Sequence, residues 1–189
     1  MRTTMLFLAL LLVSTTAATA AERQPEFRLF TAAYVPTGEQ SDVLKSALLV
    51  GGQAGLELAT KLHLVGTFAY ARPSPERLTI ADKVNFYQYD VGLEMFRAYT
   101  ASRQDDHWTF RPFLGVGAGG RTYDLKDVDA KATTNLAGYG AVGAEMQHLN
   151  IAMRLEARDY VSRFKGLTGN DKASTRNDLV LGGGLAFHF

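Results

Sequence analysis

The feature that most limits what this chain can fold into is a two-residue alternation that recurs eight times. Apolar and polar residues change places at every step over roughly 26–35, 48–58, 61–70, 84–96, 107–119, 134–147, 150–162 and 176–189. Successive side chains of a strand point to opposite faces, so each segment reads as a two-faced β-strand. Helical spacing is poor, and no apolar run after residue 20 reaches the length of a membrane-crossing helix. The expectation is an all-β fold of eight antiparallel strands.

One face is apolar in every segment. The first offers Phe27, Leu29, Thr31, Ala33 and Val35, the fourth Tyr87, Tyr89, Val91, Leu93 and Met95, and the last Leu179, Leu181, Leu185, Phe187 and Phe189. The sixth is the weakest, with Leu136, Gly138, Gly140, Val142, Ala144 and Met146. The opposite face carries the charge: Glu26, Arg28, Glu57, Asp90, Glu94, Arg111, Glu145, Arg154, Glu156 and Arg158, interleaved with Gly55, Gly92, Gly115, Gly117, Gly143, Gly182 and Gly184.

The links alternate too. Tight turns are expected near Ala59-Thr60 and His148-Leu149, whereas "PTGEQSD", "RPSPERLTIADK", "RTYDLKDVDAKAT" and "KGLTGNDKAST" read as longer solvated loops. Short links at one end and long links at the other suit an up-and-down barrel. The third short-side link, "RAYTASRQDD", is longer than its companions, and the sequence offers no reason for it.

Alternation alone does not say which face is inside. In a soluble, lipocalin-like binding barrel the apolar face lines a cavity; in a membrane barrel the phase is reversed. Four features favour the reversed phase. The segments are long enough for a tilted bilayer-crossing strand. Aromatics on the apolar face fall into two groups, Phe27, Trp108, Phe110, Phe187 and Phe189 toward the tight turns and Phe68, Tyr70, Tyr87 and Tyr89 toward the long loops. Two aromatic belts around an aliphatic middle suit two water–lipid interfaces. Glycines on the charged face leave room for long side chains in a narrow lumen. A terminal Phe189 needs burial, which lipid supplies. In lipid every backbone polar group must be paired within the protein, so the first and last strands are expected to close on each other.

The opening "MRTTMLFLALLLVSTTAATA" has a basic start, a short apolar run and small residues before Ala21, the pattern of a cleavable secretory signal. The expected division is a signal over 1–20 and one barrel domain over 21–189. The full chain has 20 basic and 19 acidic residues, so nothing points to nucleic acid. It has no cysteine, so an exported product relies on packing and backbone pairing.

These residues resemble small outer membrane barrels of the OmpA/OmpX-like family. The resemblance rests on the signal, the eight strands, the asymmetric links, the penultimate strand "MRLEARDYV" and the ending "LAFHF", which is similar to the C-terminal signal read by the barrel-insertion machinery. It implies an outer membrane location, contact with membrane lipid and lipopolysaccharide, delivery by that machinery, and a monomer. No further domain is expected after the eighth strand.

Of the candidate sites, the inward charges are the sharpest. Six acids (Glu26, Glu57, Asp90, Glu94, Glu145, Glu156) face four arginines (Arg28, Arg111, Arg154, Arg158). They form either a gated ion path or a salt-bridge plug, and the narrow lumen favours the plug. A lipid-A-modifying enzyme uses the same scaffold, but His63, His107, His148 and His188 all fall toward the tight-turn end, away from the outer leaflet. None has metal-ligand spacing, and no nucleophile motif is present. No catalytic residue, metal ligand or cofactor is assigned. Lys126, Lys131, Lys165 and Lys172 lie in long links, where they can meet anionic lipopolysaccharide groups. The expected role is structural or one of surface interaction.

Overall fold

The computed structural model describes residues 25–37, 45–74, 84–103, 106–125, 132–164 and 174–189; for 101–103, 106, 107, 125, 164 and 174 only the backbone is described. The expected signal at 1–20 and the loop lysines Lys126, Lys131, Lys165 and Lys172 lie outside the described residues.

Among the described residues nine strands are present: β1 (Pro25–Pro36), β2 (Ala47–Ala59), β3 (Leu62–Ala71), β4 (Val84–Phe96), β5 (Tyr99–Arg103), β6 (Asp106–Leu125), β7 (Thr133–His148), β8 (Ile151–Phe164) and β9 (Ser174–His188). All pairings are antiparallel. The sheet runs β4-β3-β2-β1-β9-β8-β7-β6, and β4 also pairs with β6, so eight strands close into a barrel. Closure joins the ends of the chain as the backbone argument requires: β1 pairs with β9 from Glu26↔His188 to Pro36↔Asp178.

Seven of the eight expected segments match a strand to within two residues at each end. One expectation is corrected. The fifth segment does not stop near 119, because β6 continues to Leu125 and pairs with β4 through Val84↔Leu125. Arg121 and Tyr123, read as loop, are therefore strand residues, and both are buried. The length of the link after β4, for which the sequence offered no reason, is explained by a further strand. β5 pairs with the start of β6 from Tyr99↔Phe110 to Arg103↔Asp106, so a hairpin continues the β4–β6 ladder beyond the barrel rim. The two tight turns fall one residue later than expected, at Thr60-Lys61 and Leu149-Asn150. Lys61 (φ 75°) and Leu149 (φ 52°) sit in the left-handed region, which two-residue hairpin turns demand to match strand twist.

The register fixes the barrel's shape. One row of paired residues starts at Phe27 and passes through Ala54, Gly66, Val91, Ala118, Gly138, Val161 and Asn177. It returns to β1 at Thr37, whose amide donates to the Asn177 carbonyl, ten residues beyond its start. Eight strands with that stagger tilt about 40° from the axis.

The phase is the reversed one. Leu48, Met95, Leu114, Val116, Leu136, Met153 and Leu155 lie exposed on the outer wall, while Arg28, Arg121 and Arg158 are among the largest fully buried side chains. Every apolar-face residue named above for the first, fourth and last segments is exposed or half-buried. A soluble, lipocalin-like arrangement is excluded by this phase, since its charges would face outward.

Candidate functional site: a charged lumen sealed by aromatics

The inward positions of the strands build the lumen in layers. Tilt raises each successive strand along a paired row, so residues far apart in sequence share a height. Arg28 on β1, Glu94 on β4, Glu145 on β7 and Arg154 on β8 meet in this way. Arg28 Nη1 lies 2.9 Å from Glu94 Oε2, and Arg154 Nη2 lies 2.7 Å from Glu94 Oε1. Arg154 Nη1 donates to Glu145 Oε1 at 2.6 Å. Arg28 also pairs with Glu26, and Glu156 pairs with both Arg154 and Arg158. Arg158 Nη1 reaches Asp90 Oδ1 at 3.1 Å, and Arg111 Nη1 lies 3.5 Å from Glu145 Oε2.

Nine of the ten charges expected in the lumen thus join one network of ion pairs. Glu57 stands apart. It is half-buried at the turn end of β2, opposite His63 in register, and no ion pair links it to the network among the described residues.

Buried charges are tolerated only when each is paired and its remaining donors are met. Neutral partners contribute here. Arg28 Nη1 donates to Gln53 Oε1 at 3.0 Å, and Arg158 Nη1 to Thr67 Oγ1 at 3.1 Å. Guanidinium faces are covered by inward aromatics: Arg154 over Phe113 at 3.7 Å, Arg111 over Phe96 at 4.6 Å and Arg158 over Tyr139 at 4.7 Å. Such cation–π contacts strengthen when water is excluded.

A second polar layer lies nearer the loop end. Tyr160 donates its hydroxyl to Asp90 Oδ2 at 2.8 Å and accepts from Gln88 Nε2 at 2.7 Å. Arg121 Nη2 donates to Gln88 Oε1 at 3.1 Å, pairs with Asp178, and lies 4.0 Å above the Tyr160 ring. Above it Tyr34 stacks on Phe86 at 4.9 Å, and Phe86 meets Tyr123 at 5.1 Å. With Leu49, Val84 and Ala71 they form an apolar cap across the loop end of the lumen.

Sequence reasoning missed this layer and the cap. It followed charge on the inward face and passed over the aromatics at the same parity. Tyr34, Phe86, Phe96, Phe113, Tyr139 and Tyr160 all occupy inward steps of the alternation, so parity alone could have found all six on strands already assigned. Asp178 too sits at an inward step of the last segment, whereas Arg121 and Tyr123 needed the true end of β6.

Between the network and the wall formed by Gly182, Gly183 and Gly184 is a cavity of about 20 Å³, bordered by Arg28, Arg154 and Glu156. That is room for about one water molecule. Charge, aromatic cover and cap together leave the described lumen packed.

The nine aromatics expected at the interfaces all sit on the outer wall. Phe27, Phe68, Tyr89, Trp108, Phe110 and Phe189 are exposed, and Tyr70, Tyr87 and Phe187 half-buried. With the register and tilt given above, the group holding Phe27, Trp108 and Phe110 is separated along the axis from that holding Phe68, Tyr70, Tyr87 and Tyr89 by about 20 Å. Of the four histidines, His63 and His188 face the turn end of the lumen beside Glu26, His148 stacks on Trp108 at 4.7 Å, and the side chain of His107 lies outside the described residues.

No family model matches this sequence, and no curated protein sequence does. Solved structures do match the fold. Neisserial surface protein A (NspA) aligns with a TM-score of 0.60 at 13% identity, covering 87% of this chain and 97% of that one. Ail, the attachment invasion locus protein of Yersinia pestis, aligns with a TM-score of 0.52 at 13% identity, covering 89% and 100%. Ail in complex with the heparin analogue sucrose octasulfate aligns at 0.50 and 15% identity, covering 88% and 100%. The chain has the fold of the small eight-stranded outer membrane barrels.

Proposed function

We propose that this protein is an integral outer membrane barrel with a structural or surface-interaction role, its lumen closed by the charged network and its four long links presented on one face of the membrane. The observation that carries this reading is the inversion of the wall: leucines, valines and methionines outside, arginines and glutamates buried within. In water such a wall is an aggregation hazard; in a bilayer it is the ordinary state of a barrel. The axial spacing of the aromatic groups supports the same placement, since an outer apolar band of about 25 Å flanked by aromatics marks such barrels.

The role follows from what the scaffold offers. A packed lumen leaves no wide path for solutes, so the long links are where contacts with other molecules reside. Lys126, Lys131, Lys165 and Lys172 in those links are the groups we assign to anionic headgroups of lipopolysaccharide. Ail, which shares the fold, has been solved with a sulfated heparin analogue, so anion binding is compatible with the scaffold. We further assign the ending "LAFHF" to recognition by the insertion machinery, and residues 1–20 to export.

The test is cell fractionation with detergent-dependent extraction, followed by heat-modifiable migration on a gel and labelling of a cysteine placed at Ser41. Recovery in the outer membrane with a labelled loop supports the reading. A soluble product, or a membrane protein whose Ser41 site stays unlabelled in intact cells, overturns it.

A further inference from the structure

We propose that the turn-end mouth of the lumen is a binding site for one divalent transition-metal ion, held by Glu26, Glu145 and His188 with His63 beside them. This inference does not depend on the membrane role proposed above.

The first observation is convergence. Glu26 on β1, Glu145 on β7 and His188 on β9 each present a ligand atom, and these atoms lie within 4.8 Å of one another. His188 Nδ1 stands 3.4 Å from Glu26 Oε2. A tetrahedral shell with bonds of about 2.1 Å has its ligand atoms about 3.4 Å apart. His63 Nδ1 lies 3.4 Å from the other Glu26 oxygen.

The second observation is independent of the first. Buried polar atoms are nearly always hydrogen-bonded. Here four at one place are not: Glu26 Oε2, Glu145 Oε2, His63 Nδ1 and His188 Nε2. Glu26, Glu145 and His63 are each more than nine-tenths buried. The carboxylates divide their labour. Glu26 gives Oε1 to Arg28, and Glu145 gives Oε1 to Arg154, and in each the second oxygen lacks a hydrogen-bond donor. Arg111 comes within 3.5 Å of Glu145 Oε2 without bonding it, and an incoming ion competes with it there.

The third is charge. In the ion-pair network the five carboxylates at 26, 90, 94, 145 and 156 face four guanidiniums, at 28, 111, 154 and 158, an excess of one negative charge that favours a cation here. A donor set of one imidazole and two carboxylates, with a second imidazole beside it, suits zinc or a neighbouring first-row ion rather than calcium or magnesium, which take all-oxygen shells.

The experiment uses the full mature chain, untagged, folded in detergent micelles and stripped with a chelator. Zn²⁺ is titrated by calorimetry, and Co²⁺ is added to read its visible ligand-field band. The expected result is one ion per chain, with a rise in unfolding temperature. His188→Gln and Glu26→Gln each weaken binding at least tenfold, and His148→Gln leaves it unchanged. Glu26→Gln removes a partner of Arg28 and can compromise folding; His188 has no hydrogen bond or ion pair with an arginine among the described residues, so His188→Gln keeps the test decisive. Absence of saturable binding in the parent protein overturns the proposal, as does equal affinity in the parent and a folded His188→Gln variant.

Discussion

Arg154 on β8 grips Glu94 on β4 across the lumen at 2.7 Å, although the two strands are not neighbours in the sheet. The bond is a strut between opposite walls, and Glu94 is wholly buried where it also receives Arg28. Removing one member of a buried pair strands the other charge, a loss of about 3–5 kcal/mol. Arg154→Ala, which takes one partner each from Glu94, Glu145 and Glu156 while Arg28, Arg111 and Arg158 stay, is expected to lower stability by about that much. The urea midpoint for loss of the heat-modifiable folded band measures it, and an unchanged midpoint refutes the strut.

Glycine on the inward face has a steric reason that can be checked at one position. A Cβ at Gly117 would lie 2.5 Å from Tyr139 Cε1 and 2.6 Å from the Val91 carbonyl oxygen. Overpacking of this kind costs about 1–3 kcal/mol. Gly117→Ala is expected to destabilise by that amount, and Tyr139→Ala in the same chain to recover part of it, since the ring contact is relieved and the backbone contact is not. Additive losses in the double variant contradict this account.

Much of the architecture was legible because a strand's period of two is strict. Once Leu29 points outward, Arg28 must point in, and a one-residue slip would reverse every assignment at once. The match of β4 to the expected 84–96 reflects that strictness. What failed was of two kinds. Strand ends carry weak signals, so "RTYDL" read as loop although β6 continues through it, paired on both sides as far as Tyr123. Contacts made by closure carry no local signal at all. Glu26, His63, Glu145 and His188 have no common spacing in sequence; they are gathered because β1 pairs with β9, while β3 lies beyond β2 and β7 beyond β8 around the closed barrel. A search for metal motifs along the chain is blind to such a set. The hairpin of β5 falls between these cases, since "YTASR" alternates too briefly to stand out from a turn.

The inverted wall makes a prediction specific to lipid. Leu114 is 66% exposed in the middle of the apolar band, between Pro112 and Val116 on the outer side of β6. A charge facing lipid near the bilayer midplane costs about 2–4 kcal/mol, and much less near the interfaces. Leu114→Arg is expected to lose that much in equilibrium folding into phospholipid vesicles. Trp108→Arg, at the outer wall near the turn end, is expected to lose less of the lipid-insertion term. Equal penalties at the two depths would falsify the assignment of this band to the membrane.

The chain ends on Phe189, 73% exposed on the outer wall, with its amide donating to the Pro25 carbonyl at 3.1 Å. The backbone bond closes the barrel seam, whereas the ring contributes little burial within the protein. The two can therefore be separated. Phe189→Ser keeps the amide and removes the ring, so a barrel refolded in detergent is expected to melt within a few degrees of the parent, because surface changes away from buried contacts shift stability by about 0.5 kcal/mol or less. In cells, if the terminal ring is read by the insertion machinery, the same variant accumulates far less folded protein in the outer membrane. Quantitative blotting of folded and unfolded bands at matched expression distinguishes the outcomes. Parent-like assembly in cells removes the terminal ring from recognition, and a large loss of stability in detergent assigns it to packing instead.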